Sequence, residues 1–401
     1  MERVLGEKRR MRICFVSDQT FPSVGGEGVS TQNFSLELRK KRHMVIIITS
    51  RTKEPFSMVV EGIEIYRFFS ISLPREKGHF AFVSSKKIFS ILKRERIEII
   101  QINLPTYLGW QALRGAKKLG IPVVLGFHVQ VGNVLPPQLP WFLMEKAVES
   151  WFSHFYNRGD LIVVPSHFAG RIARNYTHRP IQVISNGIDL DCFSARRASL
   201  EDRMKFRESY ELGRSPALLY VGRLSYEKNP GFLIEIMGSL LKKRSEVKLL
   251  MVGGGILKDK LKEKIAGHGL KNAIILTGYL RGKDLLCAYL EADILILPSF
   301  YELQSIVALE AMATRNAILI GKSRENAAQE LVKEGVNGYT FSLDDPQDAS
   351  DKIENILGNE KLKRSMQEES YRMVQAHSLE RSVSRLENIY KSLISGRFDE
   401  G

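Results

Sequence analysis

Short apolar runs separated by helical patterns recur along this chain in two series, and no other feature constrains its fold as strongly. The first series predicts strands at Met11–Asp18, Val45–Thr49, Ile97–Ile102, Pro122–Phe127, Leu161–Pro165 and Ile181–Ser185. The second predicts them at Leu218–Val221, Val247–Val252, Ile274–Thr277, Asp293–Leu297 and Ala317–Ile320. Runs this short and this apolar suit strands covered on both faces, and helices between them imply parallel crossovers. Around residues 190–215 the rhythm lapses into charged, aperiodic sequence, which reads as a linker. With 401 residues the chain exceeds one ordinary core. The expectation is α/β: a first Rossmann-like domain over 1–195, a second over 196–380, and a helical tail, 381–401, packing back across them.

Composition narrows the class. Hydrophobic content of 44% and charged content of 26% are those of a soluble globular protein. No apolar run approaches the roughly 20 residues that span a bilayer, and no apolar signal core precedes the first strand. Cys14, Cys192 and Cys287 form no CxxC pair, so a reducing compartment, the cytoplasm, is expected. The net charge of +14 is lopsided. Residues 1–200 hold 29 Lys/Arg against 16 Asp/Glu, a net +13, whereas residues 201–401 hold 30 against 29, a net +1. That field favours anionic partners such as a membrane surface, and no recognisable reading motif points to nucleic acid.

Candidate chemistry gathers at strand ends, where ligands of open α/β sheets bind. After the run ending Leu297-Pro298-Ser299, Glu302 falls in a loop, Gln304-Ser305-Ile306 begins a helix, and Glu310 lies on its second turn. First-turn N–H groups there are suited to phosphate oxygens. Gly222-Arg223-Leu224 and Lys228 follow the first strand of the second series. Gly25 and Gly26 lie in the loop after the very first strand, and Gly253-Gly254-Gly255 after another; lacking Cβ, glycines permit close approach of a ligand or simply make a turn. His128 closes the strand ending Gly126-Phe127.

The Glu302-x7-Glu310 spacing, the Gly222-Arg223-Leu224…Lys228 segment and the turn Ser185-Asn186-Gly187-Ile188-Asp189 resemble the retaining glycosyltransferases of family 4. The likeness is strongest from Asp160 to Gly338. It implies the GT-B fold, two Rossmann-like doubly wound domains facing a central cleft, and a metal-independent hexosyltransferase without a cofactor. The donor implied is a nucleoside-diphosphate sugar such as UDP-glucose. By the same resemblance Arg223 and Lys228 contact its diphosphate, Glu310 its ribose, and Glu302 the transferred sugar. Leu280, in the turn Thr277-Gly278-Tyr279-Leu280, meets the base through the backbone. Gly25 and Gly26 approach the phosphates, and His128 orients the sugar. Asp189-Leu190-Asp191 looks like a metal-binding Asp-x-Asp but belongs to the matched turn, so it is set aside. Three motifs depart from the family: Thr314-Arg315-Asn316, Arg42-His43 and Gln101-Ile102-Asn103.

The segment Phe127-His128-x-Gln130-x-x-Asn133 is similar to bacterial glycolipid synthases, which implies a lipid acceptor such as diacylglycerol; a saccharide acceptor and a non-catalytic scaffold are the alternatives. Basic clusters at Arg39–Arg42, Lys86-Lys87 and Lys93–Arg96 fit an anionic leaflet. Aromatics at Trp141-Phe142, Trp151-Phe152 and Phe155-Tyr156 fit either a bilayer-facing surface or packing on their own sheet, the latter being preferred for the stripe. A nicotinamide dehydrogenase is disfavoured, because no G-x-G-x-x-G follows the first strand.

Overall fold

The structure, a computed structural model, describes residues 9–18, 26–51, 56–72, 79–130 and 141–397. The chain forms two compact units, one of Met1–Gly187 with Leu379–Gly401 and the other of Ile188–Ser378.

In the first unit the strands are β1 (Arg12–Val16), β2 (Met44–Arg51), β3 (Ser57–Val60), β4 (Ile63–Ser72), β5 (His79–Ala81), β6 (Ile99–Ile102), β7 (Val123–Gly126), β8 (Leu161–Val164) and β9 (Ile181–Val183). Among the described residues their order is β3-β4-β2-β1-β6-β7-β8-β9, with β5 on β4. Every expected strand of this series is present. The expectation missed β3, β4 and β5, where β3 and β5 run antiparallel to β4. Their alternating sequences carry too few consecutive apolar residues to stand out as buried runs. Strand β1 lies between β2 and β6, both parallel to it. The chain therefore leaves β1 in one direction and returns on its other side, which opens a crevice beyond the carboxyl ends of β1 and β6.

Ile13, Phe15, Ile47, Ile99 and Val124 build one side of this sheet's core, and Phe34 and Leu38 of the helix Gly26–Lys40 cover it. Cys14 is buried in the same strand, where loss of water pushes its thiol up. The final helix, Leu379–Ile394, adds Leu379, Val383, Leu386 and Tyr390 to that core, spaced to fall on one helical face. The changes of unit fall at Gly187/Ile188 and Ser378/Leu379. The stretch expected to be a linker contains the helix Leu200–Ser209, and its Phe206 joins the second core together with Ala198. So few apolar residues serve that helix that its charged face hid it.

The second unit's sheet runs β12 (Ile274–Gly278), β11 (Lys248–Val252), β10 (Ala217–Val221), β13 (Ile294–Leu297), β15 (Ala317–Gly321) and β17 (Gly338–Phe341), all parallel. Here β10 has β11 on one side and β13 on the other, so the crevice lies beyond the ends of β10 and β13. A two-stranded ladder, β14 (Tyr301–Glu302) with β16 (Glu325–Asn326), sits outside the sheet. Among the described residues no helix is long and apolar enough to cross a membrane.

Candidate active site

The loop that follows β10 is held from three sides. Gly222 N donates to Val252 O at 3.0 Å and Leu224 N to Gly254 O at 2.8 Å. From beneath, the buried Tyr220 hydroxyl donates to Arg223 O at 2.7 Å. The glycine triplet explains why the loops can approach so closely. A Cβ on Gly253 would lie 1.9 Å from Gly222 O, one on Gly255 2.5 Å from Leu224 O, and one on Gly254 2.6 Å from the Tyr279 ring. Gly253 and Gly255 also adopt φ of +136° and +153°, which side chains disfavour. These glycines therefore make room for protein atoms. They brace the segment that presents Arg223.

Two ion pairs stand at this strand end. Lys228 Nζ lies 2.7 Å from Glu302 Oε1, and Arg223 Nη2 lies 3.0 Å from Glu227 Oε1. Burial alone would raise Glu227, but Ser225 and Arg223 together hold its carboxyl below the usual range. Phe300 N donates to Glu227 O at 2.9 Å, which ties the loop after β13 to the loop after β10. Glu302 is fixed by the β14–β16 ladder, where it pairs with Asn326. The buried Asn326 side chain in turn donates to Ser299 O and Gly321 O, each at 3.0 Å.

Beyond Glu302, Ser305 caps the helix Ile306–Ala313 by accepting from Ala308 N at 3.2 Å. The first N–H groups of that helix, from Ile306 onward, have no carbonyl within the helix to receive them. Glu310 follows on the second turn, and its Oε2 accepts from the Tyr289 hydroxyl at 2.5 Å. Removal from water pushes its carboxyl up to about 7 even though that hydrogen bond pulls it down. At β12 the pairing with β11 slips by one residue between Met251 and Val252, and Gly278 adopts φ of +75°. The strand is thereby turned so that Leu280 packs on the core while Tyr279 stays exposed.

The switch point of the first unit has a different character. Asn103 N donates to Val16 O at 3.0 Å, bringing the ends of β1 and β6 together. Glu27, in the first turn of the helix Gly26–Lys40, accepts from Ser17 Oγ at 2.6 Å, Thr31 Oγ1 at 2.8 Å and Asn103 Nδ2 at 3.0 Å. Gln101 Nε2 donates to Asn103 Oδ1 at 2.8 Å, and the Tyr390 hydroxyl donates to Gln101 Oε1 at 2.6 Å. Asp18 is buried. Its Oδ2 accepts from Thr106, and its Oδ1 has no hydrogen-bond partner among the described residues. Desolvation raises the Asp18 carboxyl to about 7, opposed by Thr106 and reinforced by Glu27. Burial raises Glu27 as well. His128 folds back over Gly126: a Cβ there would lie 2.7 Å from Asn103 Oδ1 and 2.7 Å from His128 Cδ2. Burial lowers the His128 imidazole to about 4, so the ring is neutral at physiological pH.

Sequence comparison separates the same two halves. A family profile described as Glycosyltransferase Family 4 matches residues 24–192, and one described as Glycosyl transferases group 1 matches residues 202–373. The chain belongs to the family 4 glycosyltransferases. Sulfoquinovosyl transferase of Arabidopsis thaliana is 28% identical over 360 residues, 88% of this chain and 68% of its own length. Alpha-monoglucosyldiacylglycerol synthase of Streptococcus pneumoniae is 26% identical over 313 residues, 77% of this chain and 70% of its own. Anabaena HepE, solved with UDP-glucose, matches in fold with a TM-score of 0.76 at 18% identity, covering 96% of this chain and 100% of its own. The fold is GT-B.

In this glycosyltransferase the structure joins Lys228 to Glu302 directly and sets Arg223, Gln304, Ser305 and Ile306 around the same strand ends. Of the glycine pair expected to approach phosphates, Gly25 lies outside the described residues and Gly26 opens its helix. Asn133 and residues 135–140 of the proline-bounded stretch are likewise outside them. The aromatic stripe packs on its own sheet: Phe152, Phe155 and Tyr156 are buried, and Trp151 Nε1 donates to Pro105 O at 2.7 Å. The Asp189 carboxylate is occupied by backbone, accepting from Asp191 N at 3.0 Å and Cys192 N at 3.1 Å. The sequence reading missed Tyr289, Asn326, Asp18, Glu27 and Thr106. Asp18 and Glu27 had a signal, since both adjoin the first strand's carboxyl end, but a lone acid in a loop is ordinarily solvated.

Proposed function

We propose that this glycosyltransferase moves a hexose, with retention of configuration and without a metal, from a UDP-sugar such as UDP-glucose to a hydroxyl of a membrane lipid such as diacylglycerol. The observation that carries the donor half is the convergence of Arg223, Lys228, Glu302 and a helix N-terminus at the switch point of the second sheet. A departing nucleoside diphosphate gains negative charge, and fixed cations with an unsatisfied helix terminus lower the cost of that charge. Lys228 and Arg223 are already oriented by acidic neighbours. Glu302 spends one oxygen on Lys228 and keeps lone pairs for sugar hydroxyls, since a carboxylate accepts about four hydrogen bonds. Glu310 is suited to the two ribose hydroxyls, whose donation favours its ionised form.

Front-face displacement fits this chemistry: the acceptor hydroxyl enters on the side from which the diphosphate leaves, and its proton passes to the leaving phosphate. His128 takes part as a neutral orienting group. The lipid acceptor is supported by the relative named alpha-monoglucosyldiacylglycerol synthase. The polar groups around Asp18 and Asn103 favour a hydroxyl-bearing acceptor and fit a saccharide as the second reading.

A panel of nucleotide sugars, scored by released nucleoside diphosphate with and without diacylglycerol in mixed micelles, tests the assignment. Release from UDP-glucose that requires the lipid is expected. Release only with a soluble saccharide would transfer the assignment to the second reading, and release from no nucleotide sugar would overturn both.

A further inference from the structure

Strand β6 carries an amide, Gln101, through a core in which its own neighbours Ile100 and Ile102 are apolar. Asn103 follows two residues on, so the two amides share a face of the sheet, and both are buried. They belong to Gln101-Ile102-Asn103, one of the three motifs that depart from the family pattern. Buried amides are costly unless their oxygens and N–H groups find partners. Here they find them in a row that ends on the last helix of the chain.

The hydrogen bonds of that row have one direction. Thr31 Oγ1 gives its proton to Glu27 Oε1, so both groups accept from Asn103 Nδ2, Thr31 at 2.7 Å and Glu27 at 3.0 Å. Asn103 Oδ1 is left facing Gln101, whose Nε2 donates to it at 2.8 Å. Gln101 Oε1 is left in turn, and the Tyr390 hydroxyl donates to it at 2.6 Å. Turning over either amide, or both, would set oxygen against oxygen. Without the hydroxyl, Gln101 Oε1 would stay unpaired in the core, and the side chain could regain a donor only by moving off Asn103. Tyr390 itself is held firmly. It is fully buried in the core that Val383 and Leu386 share, and one turn earlier Glu387 Oε2 lies 3.7 Å from Lys41 Nζ.

We propose that Tyr390 is a positioning residue for the acceptor side of the reaction: through Gln101 it holds Asn103 where Nδ2 meets Glu27 and Oδ1 lies against Gly126 beside His128. The final helix thereby takes part in shaping the crevice beyond β1 and β6, although Tyr390 lies 289 residues from Gln101 in sequence. This inference rests on the reading that the crevice receives the acceptor, and it adds the residue that sets the polar groups there. If the hydroxyl did no more than satisfy a buried amide, its loss would lower stability and leave transfer by the folded protein unchanged.

Two measurements on the full chain test it: transfer from UDP-glucose to diacylglycerol in mixed micelles, and side-chain amide spectra of isotope-labelled protein. The Gln101 and Asn103 signals are identified by their loss in Gln101→Met and Asn103→Ala. Tyr390→Phe should lower acceptor-dependent kcat about tenfold, keep the wild-type affinity for UDP-glucose, and move both amide signals. Gln101→Met should lower kcat about as much. Adding Tyr390→Phe to it should cost no more than about twofold further, because groups that act through one another are not additive. Val383→Ala thins the packing of the same helix and should lower the melting temperature, while transfer below the transition keeps its wild-type rate. Unmoved amide signals in Tyr390→Phe would overturn the proposal. So would a loss of about a hundredfold in the double variant, or a loss in Val383→Ala equal to that in Tyr390→Phe. Signals that move as expected in a protein that glycosylates no diacylglycerol would support the positioning and defeat the acceptor assignment alone.

Discussion

At the switch point of the second sheet the polar groups form ion pairs between acids and cations, whereas at that of the first they are acids, amides and hydroxyls that mostly satisfy one another. Lys228 with Glu302 and Arg223 with Glu227 are the pairs of the second; Asp18, Glu27, Thr31, Asn103 and Thr106 make up the first. The contrast matches two kinds of partner. Arg223, exposed in its pair, can take on a diphosphate without first losing much hydration, because exposed pairs are individually weak. Asp18, its carboxyl pushed up to about 7 by burial, stays partly protonated near neutrality and suits an uncharged hydroxyl. On this reading the second unit binds charge and the first binds a neutral acceptor.

The largest expected effect separates the two regions directly. Lys228→Ala and Arg223→Ala should each lower kcat about 10²–10³-fold, measured by released nucleoside diphosphate, because each removes a cation aimed at the leaving group. Glu302→Ala should be comparably damaging; unaltered transfer by that variant would return the catalytically silent scaffold to consideration. Next comes Glu310→Gln, expected to raise KM for the donor about tenfold or more by weakening the ribose contact. Wild-type donor affinity should fall as pH drops below about 7, where Glu310 becomes protonated, and the Gln variant should lack that dependence.

Stability should move the opposite way. The folded-state carboxyl of Glu310, at about 7, lies above its ordinary value of 4.5, so the folded protein holds the proton more tightly than the unfolded chain. The resulting stabilisation is complete below 4.5 and is lost as pH rises through about 7. At pH above 7, Glu310→Gln should therefore unfold at higher urea, by on the order of 2 kcal/mol. Asp18 obeys the same sign, being raised from 3.8 to about 7. Asp18→Asn should gain stability above pH 7 and lose about tenfold in acceptor-dependent kcat, while KM for the donor stays fixed. A shift of donor KM in that variant would blur the division between the two regions.

The smallest effect is expected at His128. With its imidazole held near 4, His128→Ala should cost roughly fivefold in kcat, the value of one orienting hydrogen bond. The pH profile between 6 and 9 should keep its shape. Loss of a limb in that range would give the ring a proton-transfer role.

The same comparison governs what could be read before folding. Glu302, Glu310, Arg223 and Lys228 are legible because each follows an apolar strand at a short, fixed interval, so local sequence alone sets them at strand ends. The first unit's cluster is assembled from Asp18, Glu27, Asn103, Thr106 and the distant Tyr390, groups whose meeting depends on strand order. Tertiary pairing of that kind leaves no local period. The return of Leu379–Ile394 to the first core was hidden for the same reason, since its apolar stripe does not say which domain it covers. Strands β3, β4 and β5 escaped because a half-exposed strand alternates, and β4 even ends with its apolar side in water. The glycine triplet left a ligand approach and a plain turn equally open in sequence, and protein atoms fill the space its missing side chains leave.

A structure of the protein with UDP-glucose bound tests the central claim most directly. The account predicts the diphosphate against Arg223, Lys228 and the start of the helix Ile306–Ala313, with ribose hydroxyls on Glu310 and sugar hydroxyls on Glu302. A nucleotide bound instead among Asp18, Glu27 and Asn103, with those four residues untouched, would contradict it.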